Sequence, residues 1–408
     1  MPTVQGIFNS VQIPADQAKK SFASYITRLA PNGQSPLFGL TSMLKSETAL
    51  QTEHGYWSKT MIFPQFQVSA AGQTSGDTVF TVADTSQLIP GQIHRITSTG
   101  ENVIINQVIS ATSVQVTRAV GTVAAQAIGA SVYAYQVGNA YEESSVRTNS
   151  LIITPIKITN LTQIFRNTWA ISDTVRATMM AAGDTNVAES KQDCAAMHAA
   201  DIEKALFWSQ KLQGTRNGQP FRTMDGLINI IGNLSYYPPY MGSVNITNAL
   251  GTTNYTQLEA ALDPVFNQTT DPKVANERVL FCGGTAKKVI NNIGRLNGQY
   301  QLVDGQTSFG LQFSTFKTTR GTFRVIEHPL LNSNSTWAAM AVAVDLSSFG
   351  LAYLGDRKTK ADDFNQSGQS VDNGIDAVGG TLTTEVTCLV KNVPANAVIN
   401  GLTAAAVG

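Results

Sequence analysis

Charged residues are scarce in this sequence: they make up 14 % of its 408 residues, whereas about a quarter is usual for a soluble domain. Lysine plus arginine and aspartate plus glutamate number 28 each, so the formal net charge is zero. Because a protein that binds nucleic acid along its length carries a basic excess, the balance argues against that class. A charge-poor surface suits a protein buried against copies of itself. A mesophilic protein rich in threonine, asparagine, serine and alanine fits the composition equally well.

Cysteine pairs, long apolar runs and a leader pattern are also lacking. The three cysteines, Cys194, Cys282 and Cys388, lie far apart and form no CxxC pair. We therefore expect reduced core residues, and neither a disulfide framework nor a metal cluster. Residues 1–10 lack the basic stretch and apolar run of a signal peptide, and no apolar run approaches the roughly 18–20 residues that cross a bilayer. We expect a soluble protein, made in a reducing cytoplasm, without a membrane partner.

Motifs of nucleotide binding and of hydrolysis are missing as well. Neither the GxxxxGK[ST] pattern of a P-loop nor the GxSxG elbow of an α/β-hydrolase occurs. The nearest approach to a phosphate cradle is Gly283-Gly284 before Thr285, where the start of a helix could hold an anion. The simpler interpretation is a strand-to-helix turn with Thr285 as the N-cap.

The side chains that could do chemistry are dispersed. The four histidines lie in four segments without metal-ligand spacing. His198 and Asp201 share one side of a predicted helix, and a buried or interfacial hydrogen bond is the simpler interpretation than a metal or catalytic pair. The adjacent carboxylates Glu142-Glu143 and Asp362-Asp363 are predicted to be solvated turns or salt-bridge partners, because an acid–base pair has to face a substrate. We therefore predict no catalytic residue, no metal and no cofactor.

Short β-rich runs dominate the first part of the chain. Residues Gly55 to Val68 alternate polar and apolar side chains around Pro64, which predicts an edge strand, and Ser150 to Phe165 predicts a returning strand. Between them, five short runs at regular spacing predict a small barrel or sandwich: Thr78–Val82, Gln92–Ile96, Asn102–Ile109, Ser113–Thr117 and Ser131–Val137. The expected arrangement is one long hairpin that carries an inserted β domain.

Helices and then an α/β alternation follow. Trp169–Ala182 predicts a short helix, and Asn186–Gln213, which is free of glycine and proline and is closed by Gly214, predicts a long helix of roughly 40 Å. The remaining predictions are helices at Leu227–Ile231, Tyr255–Phe266 and Thr285–Leu296, strands at Arg278–Cys282, Phe309–Phe316, Thr322–His328, Ala338–Val344, Leu351–Tyr353 and Thr381–Val390, a polar loop at Gly355–Gly379 and a loose end after Gly401.

Aromatic residues recur at the base of the proposed hairpin. Trp57, Phe63, Phe165 and Trp169 form either a local core or an intersubunit anchor, since tryptophan and phenylalanine are enriched at the centres of interfaces. With Arg166, these four are the candidate intersubunit contacts.

The elements stand in the order arm, two-stranded loop, long helix, α/β region and closing strand, and short motifs accompany them: Asn160–Phe165 (NLTQIF), Ile171–Thr174 (ISDT), Asp201–Leu206 (DIEKAL), Met224–Leu227 (MDGL), Phe309-Gly310, Gly321–His328 (GTFRVIEH), Leu351–Leu354 (LAYL) and Gly380–Glu385 (GTLTTE). Together they resemble the major capsid proteins of tailed double-stranded DNA phages, of the Hong Kong 97 type, in the subgroup with a small β domain inserted in the extended loop. The resemblance covers roughly residues 35–400.

The resemblance implies an α+β fold with an N-terminal arm, an extended β-hairpin loop, a long spine helix, and peripheral and axial domains. The implied boundaries are an arm and short helix at 1–50, the extended loop at 51–71 and 139–168, the inserted β-barrel-like domain at 72–138, a peripheral domain with the spine helix at 169–223, an axial α/β domain at 224–354, a polar loop at 355–379, and a closing strand and tail at 380–408. Only about 30 residues precede the first matched element, so assembly guidance is expected from a separate scaffold or from the insert.

The implied function is that of a structural head protein, not an enzyme. It is expected to self-assemble as hexamers and pentamers into an icosahedral shell that encloses double-stranded DNA without binding it specifically. Its expected partners are itself, portal and scaffolding proteins and, as an optional partner, a cement protein. Its expected location is the virion, after assembly in the bacterial cytoplasm. Two alternatives stay open: another virion component, such as a tail or decoration protein, and a hydrolase with an accessory β domain.

Overall fold

The chain forms two compact units in the computed structural model. The main unit comprises Met1–Tyr56, Ile158–Tyr237 and Ser243–Gly408, and the second unit comprises Trp57–Lys157 and Pro238–Gly242. The structure describes residues 37–39, 46–59, 63–69, 71–147, 150–151, 155–177, 186–238, 241–248, 250–271, 273, 276–296, 303–308, 311–364 and 376–406. The predicted N-terminal arm lies outside the described residues as far as residue 36.

Strands dominate the described residues up to 177. They are β1 (Glu47–Ala49), β2 (Glu53–Ser58), β3 (Gln65–Gln67), β4 (Val79–Thr81), β5 (Gln92–Ile96), β6 (Asn102–Ser110), β7 (Ser113–Thr117), β8 (Tyr133–Asn139), β9 (Ile156–Leu161) and β10 (Gln163–Ser172), followed by the helix α1 (Asp173–Ala177).

Helices and strands alternate from residue 186 onward. The elements up to residue 296 are α2 (Asn186–Trp208), β11 (Leu212–Arg216), β12 (Gln219–Thr223), α3 (Leu227–Ile231), β13 (Ile246–Thr247), β14 (Gly251–Thr253), α4 (Tyr255–Leu262), β15 (Glu277–Cys282) and α5 (Gly284–Leu296). The later elements are β16 (Val303–Ser308), β17 (Leu311–Lys317), β18 (Thr322–Glu327), α6 (Ser335–Ala338), β19 (Ala341–Val344), β20 (Phe349–Leu354), β21 (Lys360–Phe364), β22 (Ala377–Val390), β23 (Ala397–Ile399) and β24 (Leu402–Ala405).

One sheet of the main unit lies against the long helix α2. Its strand order is β1-β20-β22-β10, and β21 also pairs with β22. Because side chains alternate along a strand, Phe165, Trp169 and Ile171 on β10 are buried, with the partly buried Asn167 on the same face, while the even-numbered residues from 164 to 172 are exposed. The buried side of α2 recurs at four-residue intervals: Cys194, His198, Ile202 and Leu206. Helix and sheet therefore share one core, in which Trp169 packs with Cys194 and Val378.

A second sheet of the main unit has the order β13-β23-β19-β15-β18-β17-β16. Pairs β15–β18 and β13–β23 are parallel, whereas β15–β19 and β17–β18 are antiparallel. Helices α4 and α5 contribute Leu258, Leu262, Ile290 and Ile293 to the core on this sheet. At about 25 cal/mol per Å² of apolar surface removed from water, burial of these side chains is a main source of the unit's stability.

The second unit is built on an antiparallel sheet with the order β3-β8-β5-β6-β7-β4. Its core is almost wholly aliphatic and aromatic, with Phe66, Phe80 and Ile105 fully or almost fully buried. A buried ion pair lies in this unit: Arg118 Nη2 is 2.7 Å from Glu101 Oε2. Arg118 Nη1 also donates to the carbonyl of Thr74. The predicted insert at 72–138 falls within this unit, which extends further on both sides.

Two helix predictions were wrong at their boundaries. The helix predicted at Asn186–Gln213 ends at Trp208, and at 23 residues it spans about 35 Å. Leu212 already belongs to strand β11, because Asn217 and Gly218 both take positive φ and form the turn of a two-residue hairpin. The helix predicted at Trp169–Ala182 begins only at Asp173, because residues up to Ser172 pair with β22; residues 178–182 lie outside the described residues.

The predictions for the end of the chain also need correction. The polar loop predicted at Gly355–Gly379 contains strand β21, which pairs with β22, and β22 itself starts at Ala377; residues 365–375 lie outside the described residues. The end after Gly401 is not loose in its described part, since β24 pairs in parallel with β14. The strand predicted at Ala338–Val344 begins at Ala341, after the helical turn of α6.

The glycine pair after β15 is a packing feature. Helix α5 starts at Gly284, one residue before the predicted N-cap Thr285, and the Gly284 N–H donates to Asn332 Oδ1 at 2.6 Å. A Cβ at Gly283 would lie 2.4 Å from the carbonyl oxygen of Ala338. The close approach of two backbone segments therefore accounts for Gly283.

Candidate functional site

The candidate contact residues fall into two groups. Trp57 and Phe63 are 65 % and 66 % exposed, whereas Phe165 and Trp169 are 7 % and 6 % exposed. Trp57 and Phe63 belong to the second unit, and Phe165 and Trp169 to the core of the main unit, which fits the local-core alternative for the latter pair. Arg166 lies between them on β10 and is exposed. Of the five candidate contact residues, Trp57, Phe63 and Arg166 are thus the ones whose side chains are exposed in the subunit.

A ribbon of β2 and β9 starts in the main unit, and its root is held by a buried asparagine. Asn160, at the end of β9, donates from Nδ2 to the carbonyl oxygens of Asp225 and Cys388, both at 3.0 Å. Its Oδ1 accepts from the N–H groups of Leu161 at 2.8 Å and Asp225 at 2.7 Å. One amide thus ties together β9, the link after β12 and the closing strand β22, and it uses its full hydrogen-bonding capacity.

The next residues of the same motif continue this network. Thr162 Oγ1 donates to Glu385 Oε1 at 2.9 Å, and both side chains are buried. Arg357 Nη1 lies 3.1 Å from the other oxygen of Glu385. Gln163 Oε1 accepts from the N–H of Met224 at 3.0 Å. The charge of Glu385 is thereby paired, as burial requires.

Lys211 links both strands of the ribbon to the segment that follows α2. Its Nζ donates to the carbonyl oxygen of Thr159 at 3.1 Å and to Thr159 Oγ1 at 3.0 Å, and it lies 3.4 Å from Glu53 Oε1. The Lys211 N–H donates to Asp225 Oδ1 at 3.3 Å. Burial raises the pKa of Asp225 above its usual range, against the lowering effect of its bonds to Asn229 and Lys211.

Close backbone approach fixes the spacing of the ribbon at the same place. A Cβ on Gly55 in β2 would lie 2.3 Å from the carbonyl oxygen of Ile158 in β9, so a larger residue would push the strands apart. Tyr56, the next residue, is packed against the cluster of Ala49, Ala352 and Leu389, and burial raises the pKa of its hydroxyl. We call this set, from Gly55 and Tyr56 through Asn160 to Glu385, the ribbon root.

A second buried carboxylate holds the first described segment of the chain. Glu203 on α2 accepts from the N–H of Leu37 at 2.9 Å and from the N–H of Phe38 at 2.6 Å. His328 Nε2 lies 2.7 Å from Glu203 Oε1, and both side chains are fully buried. The His328 ring packs edge to face on Phe207. The long helix therefore anchors residues 37–39 through one charged group.

The histidine and cysteine side chains serve the same kind of structural role. His198 lies 2.7 Å from both Asn167 Oδ1 and Thr384 Oγ1, and burial lowers its pKa. The expected hydrogen bond is therefore present, and Asn167 in turn donates to Asp201 at 2.9 Å. All three cysteines are free and buried, as predicted; burial raises the pKa of Cys388 to about 12, so its thiol stays protonated at neutral pH.

The described residues hold neither a metal-binding cluster nor a membrane-spanning helix. Across the part of the chain that the structure describes, no group of three or more histidine, cysteine, aspartate or glutamate side chains could hold a metal ion. Among the same residues, no helix is long and apolar enough to span a membrane. Most polar groups of the ribbon root and both oxygens of Glu203 bind backbone or side-chain partners, whereas the buried hydroxyl of Tyr56 has no hydrogen-bond partner among the described residues. The ribbon of β2 and β9 is thus held at its base by a network of buried hydrogen bonds.

The chain belongs to the SU10 major capsid protein family, whose model matches residues 3–403. It is 34 % identical to the major capsid protein of Pseudomonas phage PaMx41 over 411 residues, which cover 98 % of this chain and 97 % of that protein. The prediction of a phage major capsid protein is thereby confirmed. Because the chain belongs to this family, the interpretation as a major capsid protein is preferred over the two alternatives, a tail or decoration protein and a hydrolase.

Two of the solved structures with similar chains have low sequence identity to this chain. The capsid of an empty GTA particle has a TM-score of 0.48 at 11 % identity and covers 98 % of this chain and 100 % of its own. A chain of Mycobacterium phage Cain has a TM-score of 0.46 at 9 % identity and covers 98 % of this chain and 99 % of its own.

Sequence reasoning missed two features of the site. Of the hairpin β11–β12, Leu212 and Gln213 were predicted as the end of a helix and the rest was not predicted, although Asn217-Gly218 is the strongest short signal for a two-residue β-turn. The anchoring role of Glu203 had no local signal, because its partners lie 166 and 125 positions away in the sequence.

Proposed function

We propose that this capsid protein self-assembles as hexamers and pentamers into an icosahedral shell around double-stranded DNA, in a Hong Kong 97-type arrangement and without catalytic activity. The observation that carries the proposal is the ribbon root. A ribbon fixed at its base by buried hydrogen bonds can transmit force between a subunit and its neighbour. The domain boundaries given above, from the arm at 1–50 to the tail at 380–408, belong to the same proposal.

The exposed aromatic residues beyond the root supply the contact. Trp57 and Phe63 each present more than half of their side-chain surface, and Lys157 Nζ lies 6.0 Å from the centre of the Trp57 ring. Large aromatic side chains contribute disproportionately to binding when a partner covers them. Because many subunits repeat the same contact, moderate interfaces suffice to close a shell.

The other proposed partners follow from the same assembly. A portal and a scaffolding protein would guide assembly in the bacterial cytoplasm, and a cement protein would bind the finished surface. The net charge of zero supports a wall that encloses DNA without holding it, since each phosphate contact would need a basic group.

The experiment replaces Trp57 and Phe63 by serine, together and singly, and measures the assembled fraction by sedimentation. We expect the double variant to lose most of its assembly while its circular dichroism stays that of the unaltered chain, because both side chains are exposed in the subunit. Tyr133→Ser is the matched control, as Tyr133 is an exposed aromatic residue of the same unit. If the double variant assembled to the same fraction as the unaltered chain, the proposal that Trp57 and Phe63 form an intersubunit contact would be contradicted.

A further inference from the structure

The strands of the hairpin β11–β12 belong to neither of the two large sheets, although β12 lies beside β10. The two strands pair only with each other, and every residue from Leu212 to Phe221 except Gly214 is exposed. The Phe221 ring covers Gly214, where an added Cβ would lie 2.9 Å from it. An isolated two-stranded hairpin is at best marginally stable in water, and among the described residues this one is bonded to the rest of the main unit only near its base, so a partner on the tip would add to its stability.

The charges of the hairpin are all of one sign. Lys211 and Arg222 turn toward the ribbon root, where Arg222 lies 3.9 Å from Glu385. Arg216 stands next to the turn at the tip and is exposed, and among the residues that the structure describes it has no ion-pair partner. Leu212, on the same strand, is 54 % exposed. The arm thus offers a positive charge at its tip and an exposed apolar side chain at its base.

A segment of the second unit has the complementary character. Glu142 and Glu143 are adjacent, exposed and without an ion-pair partner among the described residues. Apolar side chains flank them: Tyr141 is exposed, and Val146 is 88 % exposed. Arg147, the nearest basic residue in the sequence, comes after Val146, so no positive charge lies between or beside the two carboxylates in the sequence. Exposed apolar groups rimmed by charge mark interaction surfaces.

We propose that in the assembled shell the tip of the hairpin β11–β12 packs on the Tyr141–Val146 segment of a second copy of this chain. Arg216 then faces the two carboxylates, and the apolar side chains of the arm and the segment cover each other. This contact rests on the proposed function, because only a shell brings copies together in a fixed register. Complementary charges at such a rim set the register and speed of association more than its strength.

The test uses charge reversal in the full-length chain. One variant carries Arg216→Glu, and another carries Glu142→Lys with Glu143→Lys. Each replaces an attraction by a repulsion, so we expect each alone to lower the assembled fraction by about tenfold at low salt. Arg216→Gln, which only removes the charge, should fall between the reversed and the unaltered chain. Circular dichroism of each subunit checks that it is folded.

Co-expression decides whether the contact joins two copies. When the two reversed variants are mixed, the tip that carries Arg216→Glu on one copy faces the segment that carries Glu142→Lys and Glu143→Lys on the other, and the contact in the opposite direction stays arginine to glutamate. Contacts between two copies of the same variant stay repulsive, so we expect alternating copies to be favoured and the mixture to assemble clearly better than either variant alone. Rescue only when all three changes are in one chain would place the contact within a chain and overturn the proposal. Normal assembly of each single variant would overturn it as well. If the unaltered chain failed to form particles, the proposed function would fail, independently of this contact.

Discussion

Replacing Asn160 by alanine should weaken the main unit more than any exposed asparagine change. The substitution removes the amide that binds four backbone groups in the ribbon root. The N–H groups of Leu161 and Asp225 would then be buried without an acceptor. The carbonyl of Asp225 keeps a partner, because the Cys388 thiol also donates to it at 2.9 Å.

The magnitude follows from these orphaned groups. A buried donor left without a partner costs about 1–3 kcal/mol, so the two N–H groups together should cost about 2–6 kcal/mol. The vacated volume adds a smaller loss. Since a domain is stable by only about 5–15 kcal/mol, this single change should remove a large part of the main unit's stability.

The assay is urea unfolding of the unassembled subunit, followed by tryptophan fluorescence. Trp169, Trp208 and Trp337 lie in the main unit and Trp57 in the second, so the signal reports chiefly on the unit that carries the change. Asn400→Ala is the matched control, because the Asn400 amide makes an exposed bond to Asn248 at 2.7 Å. A loss below about 1 kcal/mol, or one no larger than that of the control, would refute the reasoning.

Two further predictions concern buried carboxylates. Glu203→Gln should speed hydrogen exchange at the N–H groups of Leu37 and Phe38 by about tenfold or more, since bonds to a charged group are worth about 1.5–3 kcal/mol; unchanged exchange would contradict the anchoring. Burial raises the pKa of Glu101, but its bonds from Arg118 and from backbone N–H groups outweigh this and hold the pKa below its usual range. Glu101 therefore stabilises the second unit at pH values above the ordinary pKa of a glutamate, and this contribution is lost as the pH falls through the lower folded-state pKa. Glu101→Gln should be less stable at neutral pH and should lack that acid-range loss in thermal melts. If Glu101→Gln lost as much stability as the unaltered chain when the pH is lowered, the stabilising role of the Glu101 carboxylate would be contradicted.

Elements with strong local signals were predictable from the sequence. The start of α2 at Asn186, helix α3 and the buried strand β15 lie where periodicity and apolar runs put them, because burial of one continuous face dominates there. The order of elements and the short motifs were enough to identify the family.

Tertiary pairing decided the elements that were predicted wrongly. Residues 169–172 carry a helix-compatible pattern, yet backbone pairing with β22 along the whole of β10 holds them in a strand. Strand β21 is polar and was predicted as loop, because its partner β22 supplies the order that its own side chains do not.

The ribbon root had no sequence signal at all. Its members were visible as motif residues, but Asn160 and Cys388 are 228 positions apart and Thr162 and Glu385 are 223 apart. Hydrogen bonds of this kind leave no periodicity along the chain. Only the folded main unit shows that the NLTQIF, MDGL and GTLTTE motifs meet in one network.

Imaging of the expressed chain by electron microscopy tests the central claim, that this protein is a self-assembling shell subunit, most directly. We expect closed shells of uniform size, formed by the chain alone or together with a co-expressed scaffolding protein. Persistent monomers under every condition, with a folded circular dichroism spectrum and with the scaffold present, would contradict it.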